Sequence, residues 1–228
     1  MSLSSKDQWL DLLKNHKDKK TILTLFCKNY YFFSLHQIRA FSRIIKLFPA
    51  EDCNSLSLIA SVVYDELGKG IPEKAHSYLF HKFALSVDSR IKLSCEDNQV
   101  VLGVKKYLND LWDSFDGNSL PKALAAYVFL EETAVAFYPK ILKILESCSF
   151  KSGDSLEFFY LHAILEVEHE KAANELVIQQ NFSSVEQKIY NIQFEYLKRS
   201  WEVFWQDILS EARITLEAID ESTSKIAN

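Results

Sequence analysis

From Ser184 to about Ile219 the chain carries Tyr190, Phe194, Leu197, Trp201, Phe204, Trp205 and Ile208 on one broad side of a single helix. A helix of that length spans a whole domain at about 1.5 Å per residue, and its aromatic side must be covered by other elements. Those elements are helical too. The 228 residues include only five glycines and four prolines, too few breaks for a many-stranded sheet. Helical spacing predicts a first helix over Lys6 to Asn15, with Trp9, Leu10, Leu12 and Leu13 as its apolar side, and a second over about Lys20 to Phe33. Ser34 reads as the N-cap of a third helix ending before Pro49, and Ser55 to Leu67 reads as a fourth that Gly68 and Gly70 terminate. Further helices are expected from Pro72 to Val87, Asn98 to Phe115, Ser119 to Glu146, and from Gly153-Asp154-Ser155 to Val177, with a turn at Asp116-Gly117-Asn118. The expected fold is all-α: one domain over residues 1–228, a bundle of roughly seven to nine helices.

Charge narrows the partners. The net charge is −5 with Lys and Arg scattered, so neither a nucleic acid, which needs clustered cations, nor a membrane surface, which needs a basic helix face, is expected. No apolar run approaches the ~20 residues of a bilayer span. Cys27, Cys53, Cys95 and Cys148 form no C-x-x-C pair and read as reduced thiols. The segment Met1 to Lys20 lacks the apolar core of a signal peptide, and the expected setting is the cytoplasm.

Three segments carry residues able to do chemistry. In Leu161 to His169, His162, Glu166 and His169 fall at i, i+4 and i+7, on one face over two turns. Leu161, Ile164, Leu165 and Val167 surround that stripe, so an inward orientation would suit a cation, while a solvated polar face including Glu168 and Glu170 is the plainer reading. Glu66 ends an apolar helix and His76 opens the next, with glycines between them that let the backbone fold back; the plainer reading is an exposed helix end and an ordinary histidine. His81 lies about 140° further round its helix than His76 and is read as a polar neighbour of the site. Glu131 and Glu132 follow the apolar run Ala125 to Leu130, and one of the two is expected to face solvent. Three Glu and three His from separate helices suit two iron or manganese ions, carboxylates bridging and imidazoles terminal.

The ordered set resembles the haem-oxygenase-like di-iron oxidases, also called the iron-containing redox enzyme family. Their pattern of an early Glu and His, a Glu on a long helix, and a closing His-x-x-x-Asp/Glu-x-x-His falls on Glu66, His76, Glu131, His162, Glu166 and His169. The run Tyr64-Asp65-Glu66-Leu67-Gly68, then Pro72-Glu73 and His76-Ser77-Tyr78-Leu79-Phe80, is also similar to family sequence. The resemblance covers roughly Ser55 to Ala173. It implies a haem-oxygenase-like fold, two bound iron ions (manganese as the alternative) and activation of O₂ to oxidise a small organic substrate. Glu132 is the substitute ligand if the long helix is rotated by one residue. One branch of the family has a tyrosine directly before the long-helix Glu, where this chain has Leu130; the nearest preceding tyrosine is Tyr127, one turn away and expected beside the ligands. Tyrosine-consuming chemistry therefore does not carry over residue by residue. The alternatives are a metal-free enzyme, like the thiaminase or pyrroloquinoline-quinone synthase branches of this fold, and a helical interaction protein whose aromatic last helix serves a partner or a homodimer.

Overall fold

The computed structural model describes residues 3–96, 99–148 and 153–226. Among them are eight α-helices and no strand: α1 (Ser5–Asn15), α2 (Lys19–Phe41), α3 (Cys53–Glu66), α4 (His76–Val87), α5 (Leu102–Asp116), α6 (Leu120–Ser147), α7 (Glu157–Gln179) and α8 (Ser184–Ile226). Short 3₁₀ turns at Ser42–Leu47, Pro72–Lys74 and Gly153–Leu156 join some of them.

Local chemistry sets most of the boundaries. The side chains of Ser4, Asp18 and Asp52 accept from the backbone N–H of Asp7, Thr21 and Ser55, capping α1, α2 and α3. Pro121 sits in the first turn of α6, where its missing N–H costs nothing. One expected boundary is absent: α2 runs unbroken through Ser34 to Phe41. Ser34 is buried, and its hydroxyl donates to the Tyr31 carbonyl one turn back instead of capping a new helix. The helix predicted from Asn98 begins at Leu102, and Asn98 itself lies outside the described residues.

α8 is the spine. Leu197, Phe204, Trp205 and Ile208 are fully buried along it, against α1, α2, α5 and α6. Trp9 of α1 meets Trp205 at 5.2 Å between ring centroids, and Phe26 of α2 stacks on Trp205 at an interplanar angle of 13°. Gly103 lets α5 approach α8 closely, because a Cβ there would lie 2.6 Å from the Val203 carbonyl oxygen. On the other flank, α7 packs against α6, α4 and the end of α3, and this places the polar residues of all four helices at one level of the bundle. No helix among the described residues is long and apolar enough to cross a membrane.

Candidate metal centre

The turn after α3 brings the first two residues together. Gly68, Lys69 and Gly70 all take left-handed backbone angles, φ 79°, 56° and 82°. The N–H of Lys69 donates to the Tyr64 carbonyl and that of Gly68 to the Asp65 carbonyl, both at 2.9 Å, closing the helix end. A Cβ on Gly68 would stand 2.4 Å from the Ile71 oxygen and the Ala75 nitrogen, so only glycine fits. The chain then re-enters a helix at His76, whose Nδ1 lies 2.9 Å from Glu66 Oε1 without the alignment of a hydrogen bond.

α7 supplies three more residues from one face. His162 Nδ1 donates to the Phe158 carbonyl at 2.7 Å; a carbonyl can only accept, so the proton stays on Nδ1 and the Nε2 lone pair is free. Nε2 points to Glu166 Oε1 at 3.6 Å. The rings of His76 and His162 are 4.4 Å apart. His169 Nδ1 lies 3.6 Å from Glu166 Oε2 and 3.9 Å from Glu131 Oε2, and its Nε2 faces Asp65 Oδ2 at 3.7 Å. Glu131 is buried, whereas Glu132 is exposed, so α6 presents Glu131 and not the substitute. All six residues singled out in the sequence converge.

Burial and crowding set the protonation of the cluster. Burial pushes the Glu131 carboxyl well above the usual carboxylate range, and Glu166 and Glu66 push it further. Burial and the neighbouring His76 lower His162 to about 3, which keeps it neutral. Burial works to lower His76 and His169 as well, but adjacent carboxylates outweigh it and raise both, Glu66 acting on His76 and Glu166 on His169. Without a cation, protons take over part of the charge balance.

The residues fit metal ions. Glu66, His76 and His162 offer ligand atoms within 4.8 Å of one another, and so do Glu66, Glu166 and His169. Glu66 belongs to both groups. Both ring nitrogens of His169 are buried without a hydrogen-bond partner, and His76 Nδ1 has Glu66 beside it at 2.9 Å; a bound cation would give these nitrogens a partner. A cavity of about 50 Å³ adjoins the carboxylates, with Glu66, Glu131 and Glu166 on one side and Tyr30, Ile38, Phe137 and Tyr138 among its other walls.

Of the two neighbours expected at the site, Tyr127 is buried with an unpartnered hydroxyl, its ring packed 4.7 Å from Phe41, and burial and then Glu131 raise its pKa. His81 packs against Tyr31 with ring centroids 5.7 Å apart and planes tilted by 46°. Three residues at the site escape a sequence reading. Asp65 looks like part of a solvated helix end. Tyr30 and Tyr138 sit in apolar runs, yet their hydroxyls meet at 2.8 Å beside the cluster, with the Tyr138 ring 4.4 Å from His162. A signal for Tyr138 did exist: it falls at i+7 from Glu131 and therefore on the same face of α6.

A model of the family described as iron-containing redox enzyme matches residues 24–194, a span that includes every residue of the cluster. The chain belongs to the iron-containing redox enzyme family. Solved structures agree on the fold of this family member. A domain of unknown function with a heme oxygenase-like fold from Shewanella denitrificans superposes with a TM-score of 0.69 at 14% identity, covering 93% of this chain and 91% of that one. A CADD-like protein of unknown function from Nostoc punctiforme gives 0.67 at 16% identity, covering 91% and 96%. A TenA homologue from Pyrococcus furiosus gives 0.63 at 16%, covering 89% and 90%. At these identities the likeness is one of fold alone, the haem-oxygenase-like helical fold. No curated protein matches the chain.

Proposed function

We propose that this protein is a di-iron oxidase: Glu66, His76, Glu131, His162, Glu166 and His169 hold two ferrous ions, and the pair uses O₂ to oxidise a small organic molecule. The observation that carries the reading is the sharing of Glu66 between two ligand groups. A carboxylate between two groups that each include an imidazole suits paired divalent ions better than a single one. Bound iron would supply electrons to O₂, chemistry that no side chain provides.

The protein's own part follows from its residues. The Phe158 carbonyl fixes the His162 tautomer, so that the ring meets a cation with its free nitrogen. Aromatic and aliphatic side chains, Tyr30, Ile38, Phe41, Val62 and Phe137 among them, line much of the cavity. Burial raises the pKa of both Tyr30 and Tyr138, so the hydroxyl pair stays protonated and can donate a hydrogen bond to a molecule in the cavity. The cavity opens toward solvent beside the carboxylates, which gives a small molecule a way to the cluster. A metal-free enzyme would have to satisfy the buried His76 and His169 nitrogens in another way.

Anaerobic ferrous titration with metal analysis, followed by O₂ uptake, tests the proposal. Two equivalents of iron per chain and iron-dependent O₂ consumption are expected, both lost in His162→Ala. Near-zero stoichiometry, or binding that His162→Ala and Glu131→Ala leave unchanged, contradicts it. Tighter loading by manganese at the same two sites would keep the site and change the metal.

A further inference from the structure

His169 is the one ligand candidate with acidic groups on both edges of its ring. Its Nδ1 edge faces Glu166 at 3.6 Å and Glu131 at 3.9 Å, and its Nε2 edge faces Asp65 at 3.7 Å. Both nitrogens are buried and neither has a hydrogen-bond partner. One imidazole cannot present lone pairs on both edges, since the neutral ring has one donor and one acceptor nitrogen. Glu166 belongs with Glu66 and His169 in a group of potential ligands, so the cation-facing edge is Nδ1. The proton then belongs on Nε2, next to Asp65.

We infer that Asp65 is a positioning residue: its carboxylate takes the Nε2–H of His169, fixes the ring's tautomer and rotation, and so tunes the metal position that His169 serves. The inference rests on the di-iron reading. At 3.7 Å the pair is slightly longer than a hydrogen bond, so the proposed contact needs His169 or Asp65 to shift by about 0.5 Å. Asp65 Oδ1 pairs with the exposed Lys69 Nζ at 3.1 Å, a surface contact of little energetic weight that leaves Oδ2 for the histidine. Consecutive residues of α3 thus divide the work, with Glu66 between the metal positions and Asp65 behind one of them. Such carboxylate–histidine–metal arrangements raise ligand basicity, and their loss typically weakens metal binding by roughly 10–100-fold.

The test is Co²⁺ titration of full-length wild-type, Asp65→Asn, Asp65→Ala and Lys69→Ala protein, reading stoichiometry, affinity and the visible ligand-field spectrum, with apo-protein melting as control. Wild-type is expected to bind two ions. Asp65→Ala should keep two ions but bind one roughly 10–100-fold more weakly, with a changed spectrum and an unchanged apo melting temperature. Asp65→Asn, which keeps an acceptor oxygen, should recover part of the loss, and Lys69→Ala should stay close to wild-type. Wild-type protein that binds no metal sinks the di-iron reading itself. With two ions bound to wild-type, three results overturn the inference alone: Asp65 variants identical to wild-type, one whole equivalent lost on removing Asp65 (which makes it a ligand), or Lys69→Ala reproducing the full defect.

Discussion

α7 and α8 follow the same helical period, but the middle of their buried faces differs in content. α8 buries Leu197, Phe204, Trp205 and Ile208 and turns most of its charges to solvent, with Asp207 and Glu211 half-buried. α7 buries His162, Glu166 and His169 while Ile164 and Val167, 71% and 50% exposed, face outward. The α8 arrangement gains free energy from every buried ring. The α7 arrangement carries a desolvation cost in the apo protein, because charged and polar groups enter the interior with incomplete partners. α7 also buries Phe158, Phe159, Ala173 and Leu176, so both helices build the fold, but the middle of the α7 face carries imidazoles and a carboxylate instead of rings. A centre on α7 should therefore be separable from stability, and substitutions in the two helices should have different signatures.

The largest expected effect is on α8. Trp205→Ala removes a fully buried ring in contact with Trp9, Phe26 and Phe137, and should destabilise the apo protein by about 3–5 kcal/mol in denaturant unfolding. The fraction still folded should bind metal with the wild-type stoichiometry. A loss of metal sites larger than the loss of folded protein would break the comparison.

On α7 the outcome should invert. His162→Leu replaces a buried imidazole by an apolar group of similar size, so the apo protein should be as stable as wild-type or more stable by roughly 1 kcal/mol. Its metal affinity should fall at least about a hundredfold. Paired melting and titration curves check both halves, and an apo protein destabilised like Trp205→Ala would mean that the polar stripe is structural.

Acidity should act on metal binding through α7 and its partners, since the ligand candidates lie there and none on α8. Metal ligands must be neutral imidazoles and ionised carboxylates. His76, His169 and Glu131 all have raised pKa values, so apo protein holds protons that binding must displace. Raised values mean that those protons leave only as pH rises, and affinity should climb by up to about tenfold per pH unit for each displaced proton. Titrations at several pH values measure the slope; a flat profile would show that no shifted group is a ligand. The smallest effect belongs to the outer side of α7, where Ile164→Gln should change stability by no more than about 0.5 kcal/mol and leave metal binding untouched.

This inversion also explains what the sequence could reveal. α8 was legible because its aromatic side follows the rule that apolar groups go inward. In α7 the i, i+4, i+7 spacing placed His162, Glu166 and His169 on one face, but apolar neighbours were a poor guide to its direction, since Ile164 and Val167 face solvent. Convergence with Glu66, His76 and Glu131 came from the family resemblance and not from spacing, because nothing local sets how helices far apart in sequence pack. Ser34 misled for a local reason: a serine looks the same whether it caps a helix or bonds back within one. Asp65 was hidden beside Glu66, where period alone sends neighbouring residues about 100° apart; the strained Gly68–Gly70 turn and the packing of α3 on α7 give it a role.

The most direct test of the central claim is anomalous diffraction at the iron edge from crystals loaded anaerobically with ferrous iron. Two peaks about 3.5–4 Å apart, one bounded by Glu66, His76 and His162 and the other by Glu66, Glu166 and His169 with Glu131 alongside, are the predicted result. No peak in the bundle, or iron bound only at residues outside this cluster, would contradict the account.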